Sequence, residues 1–221
     1  MAILSLKNVS YHYENSQENV LNTINADFEK GKVYVIMGKS GAGKSTLLAL
    51  LSGLDLASNG KVIYNQKDLC EIDRDDYRSK SIGVIFQGYN LLTNATVMDN
   101  IILAMDISGN RMKDKKKYAL DILESVGIDY EQAKRKVLKL SGGQQQRVGI
   151  ARALCHHPDV IIADEPTGNL DSETEQEIMD ILLHLAHEEE KCVIIVTHSQ
   201  GVSAYADELY GLNAGKLLAI K

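Results

Sequence analysis

The segment Gly38-Lys39-Ser40-Gly41-Ala42-Gly43-Lys44-Ser45 fits the spacing G-x-x-x-x-G-K-[ST] at every fixed position, and its flanks narrow the possible folds further. Before it, Lys32-Val33-Tyr34-Val35-Ile36-Met37 is apolar and rich in β-branched residues, the pattern of a buried strand. After it, Thr46-Leu47-Leu48-Ala49-Leu50-Leu51 has the character of a helix. Strand, glycine loop and helix in that order make a phosphate cradle. Glycines let successive N–H groups converge without a Cβ in the way, and the helix adds its positive N-terminal end. Lys44 is then placed for the β- and γ-phosphates of a nucleoside triphosphate, and the Ser45 hydroxyl for Mg²⁺.

A chain of 221 residues with 44% hydrophobic content can bury one large α/β core, and no Pro/Gly/Ser-rich linker or internal repeat divides it. The 24 Lys+Arg against 30 Asp+Glu leave a net charge of −6 with no long basic stripe, which argues against nucleic acid as a partner. Cys70, Cys155 and Cys192 are far apart and lack metal-ligand spacing, so they are expected as small buried or half-buried thiols. No apolar run approaches the ~18 residues of a membrane span, and the first residues lack a secretory apolar region. Any membrane role is therefore expected to pass through a partner.

Leu4 and Leu6 alternate with Ser5 and Lys7, and Ile24, Ala26 and Phe28 with Asn25 and Asp27, which predicts two half-exposed antiparallel strands. Asn59-Gly60 before Lys61-Val62-Ile63-Tyr64 predicts a further hairpin strand. Lys113 to Val126 has helical patterning, with its lysine run on a solvated face, and Ile178, Ile181, Leu182 and Leu185 mark a core-facing helix stripe.

Two later segments carry chemistry. Val160-Ile161-Ile162-Ala163 reads as a strand that ends in Asp164-Glu165, and ligands of parallel sheets gather at that edge. Asp164 is the candidate Mg²⁺ ligand and Glu165 the candidate base. Between the two acidic and glycine-loop elements, Leu140-Ser141-Gly142-Gly143-Gln144 opens a helix through Leu154, which makes a second anion-binding helix N-terminus with Ser141 as a hydroxyl donor.

That pentapeptide is identical to the signature motif of the ATPases of ABC transporters, and its order relative to the phosphate loop and Asp164-Glu165 is the family's order. The resemblance spans essentially the whole chain. Tyr13 resembles the aromatic residue that stacks on adenine, with Tyr11 as the alternative. Gln87, after Ile82-Gly83-Val84-Ile85-Phe86, resembles the glutamine that meets Mg²⁺ and the attacking water. Gly168-Asn169-Leu170-Asp171 resembles the family's D-loop, and His198, after Val193-Ile194-Ile195-Val196-Thr197, its switch histidine.

The resemblance implies a single domain over 1–221: a RecA-like, mostly parallel sheet core of the P-loop NTPase class, an N-terminal antiparallel β-subdomain and an inserted helical subdomain over roughly 88–140. It implies ATP bound by Tyr13, the residues Gly38 to Ser45, and Thr46, and Mg²⁺ held by Ser45, Gln87 and Asp164. Catalysis would fall to Glu165, His198, Lys44 and Gln87. It further implies a head-to-tail homodimer in which Ser141, Gly142, Gly143, Gln144 and Asp171 of one copy face the nucleotide of the other.

The stretch Asp164 to Asp171, the run Gln144-Gln145-Gln146 and the lack of a domain after Gly215-Lys216-Leu217 resemble the group of macrolide-export, lipoprotein-release, antimicrobial-peptide-resistance and FtsE-type division ATPases. This implies work at the cytoplasmic side of the membrane with a permease that has an extracytoplasmic domain. Gly88-Tyr89-Asn90-Leu91-Leu92 would dock that partner. The alternatives are an FtsE-like regulator of a cell-wall hydrolase and a soluble ABC ATPase.

Overall fold

The computed structural model describes every residue except 15 and 17. The chain begins with three strands, β1 (Ala2–Tyr11), β2 (Leu21–Glu29) and β3 (Lys32–Met37), and then enters the phosphate loop and α1 (Lys44–Leu51). Next come β4 (Asn59–Tyr64), β5 (Lys67–Asp68), α2 (Arg74–Lys80) and β6 (Ile82–Ile85). The helices α3 (Val97–Ile107), α4 (Lys115–Ser125), α5 (Tyr130–Ala133) and α6 (Gly142–Leu154) follow without an intervening strand. The chain closes with β7 (Val160–Asp164), α7 (Ser172–His187), β8 (Cys192–Thr197), α8 (Gln200–Ser203), β9 (Glu208–Asn213) and β10 (Lys216–Ala219).

The most apolar runs pair into one six-stranded sheet of order β10-β9-β3-β8-β7-β6, parallel except for the edge strand β10. Because side chains alternate along a strand, this sheet is apolar on both faces. Val33, Val35, Ile161, Ala163, Val193 and Ile195 pack toward the helices α3, α4, α6 and α7. Tyr34, Ile36, Val160, Ile162, Ile194 and Val196 pack the other way, toward α1 and a four-stranded antiparallel sheet of order β2-β1-β4-β5. The register of that second sheet pairs Leu4 with Phe28 and Leu6 with Ala26, as the alternation predicts.

Helix starts follow local chemistry. Thr96 with Asp99, and Ser141 with Gln144, form capping boxes at α3 and α6, while Asp171 caps α7. One expectation differs: Asn59-Gly60 lies inside β4, and the hairpin turn is Asn65-Gln66, which joins β4 to β5. Both turn residues have positive φ, 45° and 67°, as a two-residue hairpin turn requires. Gly60 serves a different need, since a Cβ there would stand 2.3 Å from the Asn8 carbonyl oxygen of β1.

Candidate functional site

β3 ends in the phosphate loop, and the missing side chains of that loop are structural requirements. A Cβ on Gly38 would lie 2.8 Å from the Leu212 carbonyl oxygen, and one on Gly43 2.9 Å from Leu21. Gly41 and Gly43 take φ of 79° and 102°, so the backbone turns its amides toward the start of α1. Lys44, the first residue of α1, folds back over the loop. Its Nζ donates to the Gly38 carbonyl at 2.7 Å and lies 3.6 Å from Glu165.

The parallel register places the acids beside that lysine, because β7 and β3 both flank β8 and end at the same edge. Asp164 closes β7 half-buried. Burial pushes its carboxyl above the ordinary range, the adjacent Glu165 adds to the shift, and Lys44 opposes it. Glu165 takes a left-handed φ of 46° and is buried. Burial alone would raise its carboxyl, but hydrogen bonds from His198 and Thr197 outweigh it and hold it below the usual range. The Thr197 hydroxyl donates to Oε2 at 2.8 Å, the His198 backbone N–H donates to Oε2 at 3.2 Å, and the His198 Nδ1 meets Oε1 at 2.7 Å.

Gln87 follows β6 and stands over the same edge, its Nε2 3.0 Å from where a Cβ of Gly168 would be. Gly38, Lys39, His198 and Gln200 line one cleft of about 380 Å³. Ser45 is exposed at the start of α1. Lys44, Asp164, Glu165, Gln87 and His198 thus come from four strand ends at one edge of the sheet.

Tyr11 and Tyr13 separate clearly. Tyr11 is buried and its hydroxyl donates to Asp55 at 2.5 Å, which together with burial pushes the phenol up to about 12. Tyr13 is 53% exposed, sits edge-on to Tyr11 at 5.1 Å and shares a 2.9 Å hydrogen bond with Thr46 of α1. Of the two, Tyr13 is the exposed ring beside the phosphate loop.

The Ser141–Gly143 loop lies elsewhere. With Gln144, Arg147, Thr174 and Glu177 it lines a separate cleft of about 260 Å³ that shares no residue with the first. Ser141 and Gln144 cap α6 through each other, and the Asp171 carboxylate accepts from Thr174, so these side chains also shape their own helix starts. A Cβ on Gly143 would stand 2.4 Å from Thr174, which lets α6 and α7 begin side by side.

The ABC transporter family model matches residues 21–168, a span that includes both glycine loops and Asp164-Glu165. The chain belongs to the ABC transporter family. It is an ATP-binding, ATP-hydrolysing cassette of that family. Among its relatives is the ABC transporter ATP-binding protein YclH of Bacillus subtilis, 46% identical over 215 residues that cover 97% of this chain and 95% of YclH. The lipoprotein-releasing system ATP-binding protein LolD of Rickettsia bellii is 40% identical, with 97% of each chain covered. Among solved structures, a dimeric bacterial ABC transporter cassette superposes with a TM-score of 0.88 at 34% identity over 99% of both chains, as does its post-hydrolysis state bound to ADP and Pi.

In this ABC ATPase, family spacing did not single out two groups that the structure brings to the site. Thr197 fixes one oxygen of Glu165, and Arg152 of α6 holds the backbone that follows Gln87, donating to the carbonyls of Tyr89 at 3.1 Å and Asn90. Neither belongs to a spaced motif. The only signal for Thr197 was its place before His198.

Among the described residues, no helix is long and apolar enough to cross a membrane. The expected docking segment is also redistributed. Tyr89 turns onto α6, Leu91 packs against the helical core, and the exposed Leu92 has its backbone held at both ends by Asn100. Asn90 alone of these lines a groove of about 300 Å³, together with Leu54, Phe86, Ile107 and Arg152.

Proposed function

We propose that this ATPase powers a membrane permease by closing head to tail with a second copy around two ATP molecules and reopening after hydrolysis. The observation that carries this reading is the separation of two anion-ready helix starts: the phosphate loop before α1, whose Gly38 and Lys39 line one cleft, and Ser141 of α6, which lines another with no residue in common. One copy leaves the second start without a ligand. Two copies facing in opposite senses put each Ser141 loop on the other's γ-phosphate.

Lys44 and the amides of Gly41 to Ser45 bind the phosphates, and Tyr13 gives the adenine a stacking face. Glu165 polarises the attacking water, with its carboxylate kept ionised and aimed by Thr197 and His198. Asp171 and Gln144 border the partner's nucleotide from their caps. For Mg²⁺, Ser45, Asp164 and Gln87 offer a hydroxyl, a carboxylate and an amide oxygen, the hard donors that ion takes. A further observation fits a cation there: two adjacent acids face a single lysine. Among the described residues no cage of three His, Cys, Asp or Glu exists, so phosphate oxygens and water would complete the shell. The ion would supply charge neutralisation at the β- and γ-phosphates.

The permease, with an extracytoplasmic domain, would seat a short amphipathic segment in the groove of Leu54, Phe86 and Ile107 at the cytoplasmic side of the membrane. Relatives named for lipoprotein release and macrolide export support that group, the latter illustrated by MacB of Mannheimia succiniciproducens, of which this chain covers 34% at 37% identity. Glu165→Gln tests the core of the reading, since it removes charge and base at nearly constant shape. ATP binding persists, turnover falls by at least about 100-fold, and size-exclusion chromatography with ATP shows a dimer. A variant that stays monomeric and hydrolyses ATP at the normal rate overturns the assignment.

A further inference from the structure

Tyr89 occupies an unusual position for a residue one place beyond the Gln87-Gly88 pair. It and Asn90 are consecutive non-glycine residues in the left-handed region, at φ of 59° and 49°. Non-glycine residues are strained there, so something must hold the pair. Arg152 does, with its guanidinium forked onto both carbonyls; burial of that cation lowers its pKa from the ordinary arginine value.

The side chain then runs along α6. At one end, the Tyr89 carbonyl oxygen lies 3.8 Å from the Cβ position of Gly149; at the other, the hydroxyl lies 3.0 Å from that of Gly142. Those glycines are seven residues apart, or ~10 Å of helix, about the span of a tyrosine from carbonyl to hydroxyl. Gly142, Gln146 and Gly149 share one face of α6 by their spacing. Two of them lack side chains, which leaves room for Tyr89 along that face. Gln146 between them is buried, and neither its Oε1 nor its Nε2 finds a partner among the described residues.

We propose that Tyr89 is a positioning strut that links the Arg152–Asn90 wall of the groove to the Ser141–Gly143 end of α6, and so sets how that loop meets the partner copy's nucleotide. The strut rests on the two-copy reading given above. A force applied at the groove moves Asn90, Arg152 releases or tightens the carbonyls, and the hydroxyl end of Tyr89 shifts against Gly142. Its contact with Gly142 is tight: a methyl there would stand 3.0 Å from the tyrosine hydroxyl and push it aside by a few tenths of an ångström, whereas a phenylalanine ring would leave room for it.

This gives a reciprocal test in the Glu165→Gln background, with ATP-driven dimerisation read by analytical ultracentrifugation. Gly142→Ala weakens dimerisation by about tenfold, the usual cost of an overpacked contact. Adding Tyr89→Phe restores most of that loss, and the affinity of the monomer for a fluorescent ATP analogue is the same in all variants. Loss that is equal with Tyr or Phe at position 89, or no loss in Gly142→Ala, overturns the strut. A second reading needs no dimer: Tyr89→Ala speeds amide hydrogen exchange over residues 141–145 of the free subunit, and unchanged exchange overturns the strut. Ser141→Arg separates the two ideas. If it dimerises normally with ATP, the head-to-tail reading fails, whatever position 89 does.

Discussion

Thr197 is uncharged, buried and absent from any spaced motif, yet its hydroxyl holds one Glu165 oxygen at 2.8 Å while accepting the Ser199 amide at 3.0 Å. Thr197→Val keeps the shape and removes both bonds. ATP binding stays intact and kcat falls by about tenfold through misalignment of the carboxylate, with KM little changed. The sign of the pH effect follows from the same bond. Glu165 is held below its ordinary pKa in part by Thr197, so the variant's carboxyl rises toward that value. Because the ionised form acts, the acid limb of the kcat profile moves to higher pH. A kcat profile superimposable on that of the unaltered protein would show that the hydroxyl does not aim Glu165. Lys44 was legible because it opens α1 within the fixed spacing of the phosphate loop, Asp164 because it closes an apolar strand, and His198, one place beyond β8, only through the family resemblance. Thr197 and Arg152 were not, since their partners lie 32 and 63 positions away and only the sheet register and the α6 packing bring them together.

At the scale of elements, periodicity found the parallel core because strands covered on both faces read as continuous β-branched runs, and it found β1 and β2 by alternation. It found β4 as a hairpin strand but put the turn at its start, because Asn-Gly is a turn signal only when φ must be positive at both residues. Here Asn65-Gln66 meets that demand, and Gly60 is fixed by contact with Asn8 instead. The interior of α6 shows another blind spot. Its Gln145 donates to the Leu140 carbonyl at 3.0 Å, but Gln146 is buried and its amide finds no partner among the described residues. Sequence treats the two glutamines alike. Gln146→Met fills the same volume without polar atoms and should stabilise the free subunit by about 1 kcal/mol. For a chain of this size that is a rise in Tm of roughly 2–4 °C, measurable by thermal and urea unfolding. A fall in Tm would mean that the amide is satisfied in the folded protein.

Across the whole molecule, the six-stranded sheet separates two cores and leaves a groove where they meet at the β6 edge, between the loop after α1 and the end of α3. Leu54 and Ile107 stand there 55% and 69% exposed, an apolar pair with no covering element. The groove adjoins Asn90, three residues after Gln87, and Arg152, in the last turn of α6, so an occupant would press on the wall that carries Tyr89. No spacing rule points to Leu54 or Ile107, because they share a surface only after α1 and α3 pack on opposite sides of β6. Leu91, by contrast, looks like docking surface in sequence and is packed against the helical core, so Leu91→Ser is expected to destabilise the fold. Ile107→Arg isolates the docking role. At so exposed a position the substitution changes stability by no more than about 0.5 kcal/mol, and it touches none of the residues assigned to ATP. Basal ATPase and ATP-driven dimerisation remain normal, while co-purification with the proposed permease partner is lost as charge enters the apolar groove. Retained co-purification would place the permease on another surface, and loss of basal ATPase in the isolated subunit would make Ile107 part of the catalytic scaffold instead.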